Sequence, residues 1–263
     1  MQVQSELGIA LSLAAGLLMA MEVGYRLGVR AVREKEAPGG SQVGAIQGAT
    51  LGLLGLLLGF SFAGAAARFL ERQDLIVQEA NAIGTAYLRV DLLEQPHRSH
   101  AREALTAYVR HLLEVSERLR YGLTPEDRRR ISDYHQGVWK AASEGVSAKP
   151  AAMIAVLVPV NEMIDLHATR VAASRKHLPH AVMALLIVCS TLATGAIGYG
   201  CGLSRRRCLI MTGSLVMLIA AALWLTIDLD YPRAGLIQLD DSALRELQFS
   251  AQDAPPVTDR DVN

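Results

Sequence analysis

The sequence predicts an all-α integral membrane protein, with four transmembrane helices and a helical-bundle domain inserted between the second and the third. Mean hydropathy is positive although 20% of the 263 residues are charged, so the apolar residues must be gathered in blocks. Four such blocks are long enough to cross the roughly 30 Å hydrocarbon layer as helices. A segment rich in Arg, Glu, Leu and Ala separates the second block from the third.

The four predicted spans form two hairpins, which we assign to residues 1–69 and 180–229. The second span, from about Val43 to Phe69, holds no charged residue before Arg68. Because backbone polar groups in lipid must be bonded internally, uncharged runs of this length are predicted to be helices.

The inserted domain, residues 70–179, is predicted to be a bundle of four helices. Its first helix continues the second span, and Pro96 opens the next. Thr124 is the expected N-cap of the third helix, with Pro125 at its first position, and Pro150 opens the fourth. The remaining residues, 230–263, are predicted to form a short amphipathic helix and a tail.

Composition and motifs exclude several classes of function. Lys and Arg total 26 and Asp and Glu total 26, so no nucleic-acid partner is expected. The three cysteines lie in or beside apolar blocks, which argues against a disulfide framework or a zinc site. We find no nucleophile–base arrangement, phosphate loop or nucleotide fingerprint. An enzyme is therefore not expected, nor is a cofactor, and the expected partner is the lipid bilayer.

Charge in the short loops predicts the orientation. The first loop carries Arg26, Arg30, Arg33 and Lys35, and the second carries the run 205–207, all arginine. Because cytoplasmic loops are enriched in Lys and Arg, this pattern places both loops in the cytoplasm and the bundle on the other side.

The second span has an unusual spacing of glycines. Gly44, Gly48 and Gly52 recur every four residues, and Gly55 and Gly59 repeat the step on a neighbouring stripe. A helix with such stripes can be approached closely by another backbone. Two interpretations stay open: tight helix packing within one subunit, or packing of copies around a symmetric axis that encloses a pore.

A set of polar residues in the predicted bundle has two interpretations. Carboxylates on facing helices can hold a metal, but a di-metal bundle site needs a Glu-x-x-His pair on each of two helices. Here His167 follows Asp165 by two positions, on another face. We therefore predict no metal site and expect buried interhelical hydrogen bonds. The residues assigned to this network are Glu79, Asn81, Asn161, Glu162, Asp165 and Arg170.

Several stretches resemble known membrane proteins. The stretch 57–72, LLGFSFAGAAARFLER, resembles the end of the second transmembrane helix of bestrophin ion channels. Over nearly its full length the chain is more similar to a bacterial bestrophin-like family, a domain of unknown function. The stretches 78–87, 161–167 and 228–235 carry that resemblance. It implies residence in a bacterial inner membrane.

The likeness to bestrophins implies a homo-oligomer, a pentamer whose second spans surround an ion pore. Carried onto this sequence, the apolar neck of that pore is lined by Gly52, Leu56 and Phe60. The acidic calcium clasp of animal bestrophins would fall at Asp240 and Asp241, and we do not carry over calcium control. The likeness also implies a cytoplasmic bundle, which is opposite to the orientation predicted from the loops.

A second function class remains open beside the channel. The bundle can be a sensor or scaffold that receives a signal or a partner, with the spans only anchoring it. The absence of charge from the apolar runs fits an anchor, but a conducting pore does not require charged spans. The sequence alone does not separate the two.

Overall fold

The computed structural model describes residues 2–34, 40–118 and 123–253 and is helical, with no strand in that part of the chain. Short 3₁₀ turns, Val90–Leu92 and Pro150–Ala152, precede α3 and α5. The described residues form eight α-helices, which are α1 (Gln2–Arg33), α2 (Gly40–Arg89), α3 (His97–Arg118), α4 (Pro125–Ala148), α5 (Met153–Ser174), α6 (His180–Leu203), α7 (Leu209–Asp230) and α8 (Ser242–Asp253).

The chain divides into two units, each with its own apolar core. The first comprises Met1–Phe69 and His177–Gln238, and the second comprises Leu70–Lys176 and Leu239–Asn263. The predicted C-terminal segment, 230–263, is thus shared between the units, and its tail beyond Asp253 lies outside the described residues.

In the first unit, α1 packs on α6 and α7 around a core that includes Leu17, Leu186 and Leu223. The crossing of α1 and α6 depends on glycine. A β-carbon at Gly24 would overlap the carbonyl oxygen of Gly195. One at Gly198 would overlap the carbonyl oxygen of Met21. Glycines that let two backbones touch are a common basis of helix association in lipid.

The second unit packs α3 on α4, α4 on α5 and α8 on α3. Leu105, Val138 and Met163 are fully buried in its core, as is Leu244 of α8. The predicted start of α4 is confirmed by a capping box. The Thr124 hydroxyl accepts a hydrogen bond from the Asp127 amide at 3.1 Å, and the Asp127 carboxylate accepts one from the Thr124 amide at 3.1 Å.

Five helical stretches of the described chain are long and apolar enough to cross a membrane. Four correspond to the predicted spans, and the fifth, Pro150–Ser174, lies in the predicted bundle. Length and composition therefore do not by themselves select the four-span arrangement. The predicted rod that continues the second span is present, because α2 is one helix of 50 residues.

Candidate functional site

One face of α2 is left uncovered by the described residues of the protomer. A β-carbon added at Gly44, Gly48, Gly52, Gly55 or Gly59 would meet no described atom within 4 Å. The first interpretation of their spacing was tight packing within one subunit. Among the described residues of the protomer, no helix packs on these five glycines. In this unit the glycines that touch the backbone of another helix belong to α1 and α6 instead.

The apolar residues on that same part of α2 are exposed. Leu56 is 57% exposed and Phe60 is 70% exposed, whereas Leu54 on the other side of the helix is 2% exposed. Gln47 anchors α2 to α6 by donating from Nε2 to the Ala196 carbonyl at 2.7 Å. The helix thus buries one side inside the protomer and leaves the side with Gly52, Leu56 and Phe60 uncovered.

Two buried aspartates at the end of α7 bind neighbouring segments of the first unit. Asp228 accepts the backbone amides of Leu236 at 2.8 Å and Ile237 at 2.9 Å. Asp230 pairs with Arg68 of α2 at 2.7 Å and accepts the backbone amide of Leu178 at 2.8 Å. Because each carboxylate is satisfied by several donors, both have a structural role. Asp228 holds the loop after α7, and Asp230 joins the end of α7 to Arg68 of α2 and to the segment before α6.

A second buried cluster lies in the bundle and centres on Glu79 of α2. Its carboxylate is 0% exposed, accepts the Tyr108 hydroxyl at 2.8 Å, contacts Nδ1 of His167 at 2.9 Å and forms an ion pair with Arg170. Burial acts to raise the pKa of Glu79, but Arg170, His167 and Tyr108 outweigh it and hold that pKa below its ordinary value. The carboxylate is therefore ionised at neutral pH.

His135 of α4 packs on the edge of this cluster. Its ring lies 4.9 Å from that of Tyr108 and 5.2 Å from that of His167, measured between centroids. Burial and the neighbouring His167 lower the pKa of His135 to about 4, against a smaller opposing effect of Glu79. Its imidazole is therefore neutral above about pH 5, and no hydrogen bond reaches its buried Nε2 from the described residues.

Only part of the predicted network forms. Glu79 and Arg170 form an ion pair as predicted. The prediction of buried hydrogen bonds is wrong for the other four residues, which are exposed. Asn161 donates to Asp165 at 2.8 Å within α5, so this bond lies in one helix and not between two. The reason is the helical period, which places the polar face of α5 opposite its buried stripe. The exposed residues are Asn81, Asn161, Glu162 and Asp165.

Comparison with known proteins decides the family. A family model described as a bestrophin-like domain matches residues 16–244. The chain belongs to the bestrophin-like family. No curated protein matches the chain.

The bestrophin-like chain also resembles a solved structure, described as the crystal structure of a membrane protein. The TM-score is 0.62 at 16% sequence identity, and the match covers 90% of this chain and 96% of the other. At this identity the likeness concerns the fold alone.

The three stretches that first suggested the bestrophin-like family lie at the two buried clusters. The stretch 228–235 holds Asp228 and Asp230, 78–87 holds Glu79, and 161–167 ends on His167. Their side chains thus contribute to a buried polar cluster in each unit.

The acidic pair beyond α7 of this bestrophin-like chain serves local structure. Asp240 accepts the Ser242 hydroxyl at 2.7 Å, which together with the Ser242 amide lowers its pKa, and Asp241 is buried. The backbone of Asp240 exchanges two hydrogen bonds with the side-chain amide of Gln73. Within the described residues, no three His, Cys, Asp or Glu side chains are grouped for a metal.

Sequence reasoning missed His167 and His135 as members of the Glu79 cluster. A signal for His167 was present, because Val156, Val160, Met163 and His167 recur at steps of three or four along α5 and are all buried. That stripe marks the core face of the helix. His135 carries no comparable signal, since only the packing of α4 on α3 and α5 decides what its ring contacts.

Proposed function

We propose that this bestrophin-like membrane protein assembles as a ring, a pentamer, in which five copies of α2 surround an ion pore. The observation that carries the proposal is the uncovered face of α2, with Gly52, Leu56 and Phe60 at four-residue steps and all exposed in the protomer. Glycines beside these positions allow neighbouring copies to approach closely. An apolar ring of Leu56 and Phe60 would close the pore by dewetting.

We propose further that α1, the first part of α2, α6 and α7 are the spans, and that α5 belongs to a bundle in water. Support comes from the two faces of α5. One is buried in the core of its own unit, and the other exposes Asn161, Glu162 and Asp165. A span would place those carboxylates in hydrocarbon, at a cost of several kcal/mol. A channel or an anchored bundle requires no catalytic residue, and we propose that the chain is not an enzyme.

Permeation is tested by the substitution Phe60→Ser. We expect macroscopic conductance in planar bilayers to rise about tenfold over the parent protein, because a small polar side chain removes the apolar barrier and lets water enter the neck. The measurement is the current at fixed protein density under symmetric salt.

Leu18→Ser is the matched control, since Leu18 is an exposed apolar residue of α1, 42% exposed. We expect its current to equal that of the parent. Electrical silence of both the parent and Phe60→Ser, together with a particle mass of one or two chains, would contradict the channel proposal.

Orientation is tested by cysteine labelling on intact cells. We propose, from the arginines of the short loops, that the bundle faces away from the cytoplasm. Ser132→Cys, at an exposed position of α4, is therefore expected to react with an impermeant maleimide before the cells are opened. The three native cysteines, Cys189, Cys201 and Cys208, are replaced by alanine in this variant.

A companion variant that keeps only Cys208, which is exposed at the start of α7, reports the opposite side. It is expected to react only after the cells are opened. The reverse pattern would place the bundle in the cytoplasm, as the likeness to bestrophins implies.

The second candidate function is a membrane-anchored sensor or scaffold. It is favoured by the continuity of α2, which runs without a break over residues of both units. A rigid helix can pass a change in the bundle to a membrane segment without any pore. The mass of the purified particle separates the candidates, because an α2-lined pore requires a ring.

A further inference from the structure

The first unit contains a groove between α1, α2 and α6. Its volume is about 650 Å³, and its lining is almost entirely apolar. Its lining includes three small residues of α1, namely Gly16, Ala20 and Gly24, and also Tyr199 of α6. From Gly16 to Leu27 the groove follows α1 for about 16 Å, at 1.5 Å per residue. That length is about half of the roughly 30 Å hydrocarbon layer, or one leaflet.

One end of the groove is basic. Leu27 lines that end, and Arg30 follows it by one helical turn. The loop after α6 adds Arg205 and Arg206, which follow Tyr199 by less than two turns. Arg30 is paired with Glu34 at 2.7 Å, whereas no carboxylate of the described residues lies within 4.0 Å of Arg205 or Arg206.

The third arginine of that loop is already occupied. Arg207 pairs with Glu22 at 3.0 Å, and its guanidinium lies 4.1 Å from the centroid of the Tyr25 ring. Arg207 therefore joins this loop to α1. Arg205 and Arg206 have no such partner among the described residues and are available to a ligand at this end.

We propose that the groove binds one anionic phospholipid, with an acyl chain along α1 and the phosphate at Arg205 and Arg206. The charge is complementary, since an anionic headgroup meets two arginines that have no carboxylate partner among the described residues. The dimensions also agree, because an apolar channel one leaflet deep accepts a chain of the leaflet against which the short loops lie. An apolar groove whose lining includes glycine and alanine fits a thin, flexible chain.

A lipid fits this groove better than a helix of a second copy does. A helix is about 10 Å across with its side chains. A β-carbon at Gly16 would have no described atom within 4 Å, so the groove is open at this position. A second copy would also leave Arg205 and Arg206 without an acidic partner unless it supplied one. The inference does not depend on conduction, and a protein without a pore can bind the lipid equally.

The test is a lipid titration of the purified full chain, delipidated in mild detergent and followed by native mass spectrometry. Phosphatidylglycerol is compared with phosphatidylcholine of the same acyl chains. We expect the anionic lipid to bind as one tight equivalent per chain and at least about tenfold more tightly than the zwitterionic lipid.

Two kinds of variant test the two ends of the site separately, the first at the arginines and the second in the apolar groove. The double substitution Arg205→Gln and Arg206→Gln is expected to weaken phosphatidylglycerol binding about tenfold or more and to remove the preference over phosphatidylcholine. Arg110→Gln with Arg129→Gln, at two exposed arginines of the bundle, makes the same change in net charge and is expected to leave the preference unchanged.

Gly16→Leu fills the apolar end of the groove and is expected to weaken the binding of both lipids about tenfold. Gly8→Leu is its control on the same helix, since Gly8 also has open space around it and does not line the groove. Equal helical content of the two variants by circular dichroism establishes that both fold.

Three results would overturn the proposal. The first is equal binding of the two lipids by the parent chain. The second is unchanged binding by Gly16→Leu. The third is a lower particle mass for Gly16→Leu with no change in bound lipid, which would assign the groove to a second copy of the chain.

Discussion

Gly198→Ala is expected to prevent stable folding of the first unit. A β-carbon at Gly198 overlaps the backbone of α1 at Met21, and a backbone cannot turn aside as a flexible side chain can. The two helices must therefore separate, at a cost of about 3 kcal/mol or more. We expect most of the protein extracted in mild detergent to aggregate, as measured by the monodisperse fraction in size-exclusion chromatography.

Gly48→Ala is the matched control for Gly198→Ala. Both positions lie in predicted spans, but a β-carbon at Gly48 meets no described atom within 4 Å. Alanine is also the better helix former, so the protomer should fold as well as the parent. The same monodisperse fraction for both variants would contradict the glycine contact between α1 and α6.

A larger side chain at Gly48 reports assembly instead of folding. If copies of α2 pack around an axis, Gly48→Leu is expected to give a folded protomer of reduced particle mass. An unchanged mass in mild detergent would show that this glycine stripe faces lipid.

Glu79→Ala is expected to destabilise the second unit by about 3–5 kcal/mol, because it leaves Arg170 and His167 in the core without the carboxylate that they share. Chemical denaturation of the full chain in detergent would measure this loss. Trp139 on α4 is the fluorescence reporter, with Trp224 replaced by phenylalanine to remove the signal of the other unit.

The loss of stability caused by Glu79→Ala should be smaller at acidic pH. The pKa of Glu79 lies below its ordinary value of 4.5 in the folded state. The stability that ionisation adds is therefore present above about pH 4.5 and is lost as the pH falls through the lower folded value. The difference in stability between parent and variant is expected to shrink over that range.

Asp165→Ala is the control for Glu79→Ala. Asp165 belonged to the same predicted network, but it is exposed and bonded only within α5, so its loss should change stability by no more than about 0.5 kcal/mol. A double variant, Glu79→Ala with Arg170→Ala, should be less unstable than the sum of the single variants, because each single change leaves an unpaired group. Additive costs would show that the two residues do not act as a pair.

Local patterns in the sequence were sufficient for the helices. Thr124 and Pro125 predicted the start of α4, because a cap depends on residues within one turn. The run of apolar and amphipathic residues from the second span onward predicted the continuous α2. The candidate site was harder to predict, because the sequence does not distinguish the glycines of α2 from those of α1 and α6.

The sequence by itself determined that this is a helical membrane protein of the bestrophin-like family, because span length, helix caps and family motifs are properties of consecutive residues. Only the tertiary structure decided which glycines touch a neighbouring backbone and which face outward. It also decided that Glu79 is joined by His167 and not by Asp165. The physical reason is the same in both cases: helical periodicity predicts which residues share a face, whereas the partner of that face depends on how distant helices pack.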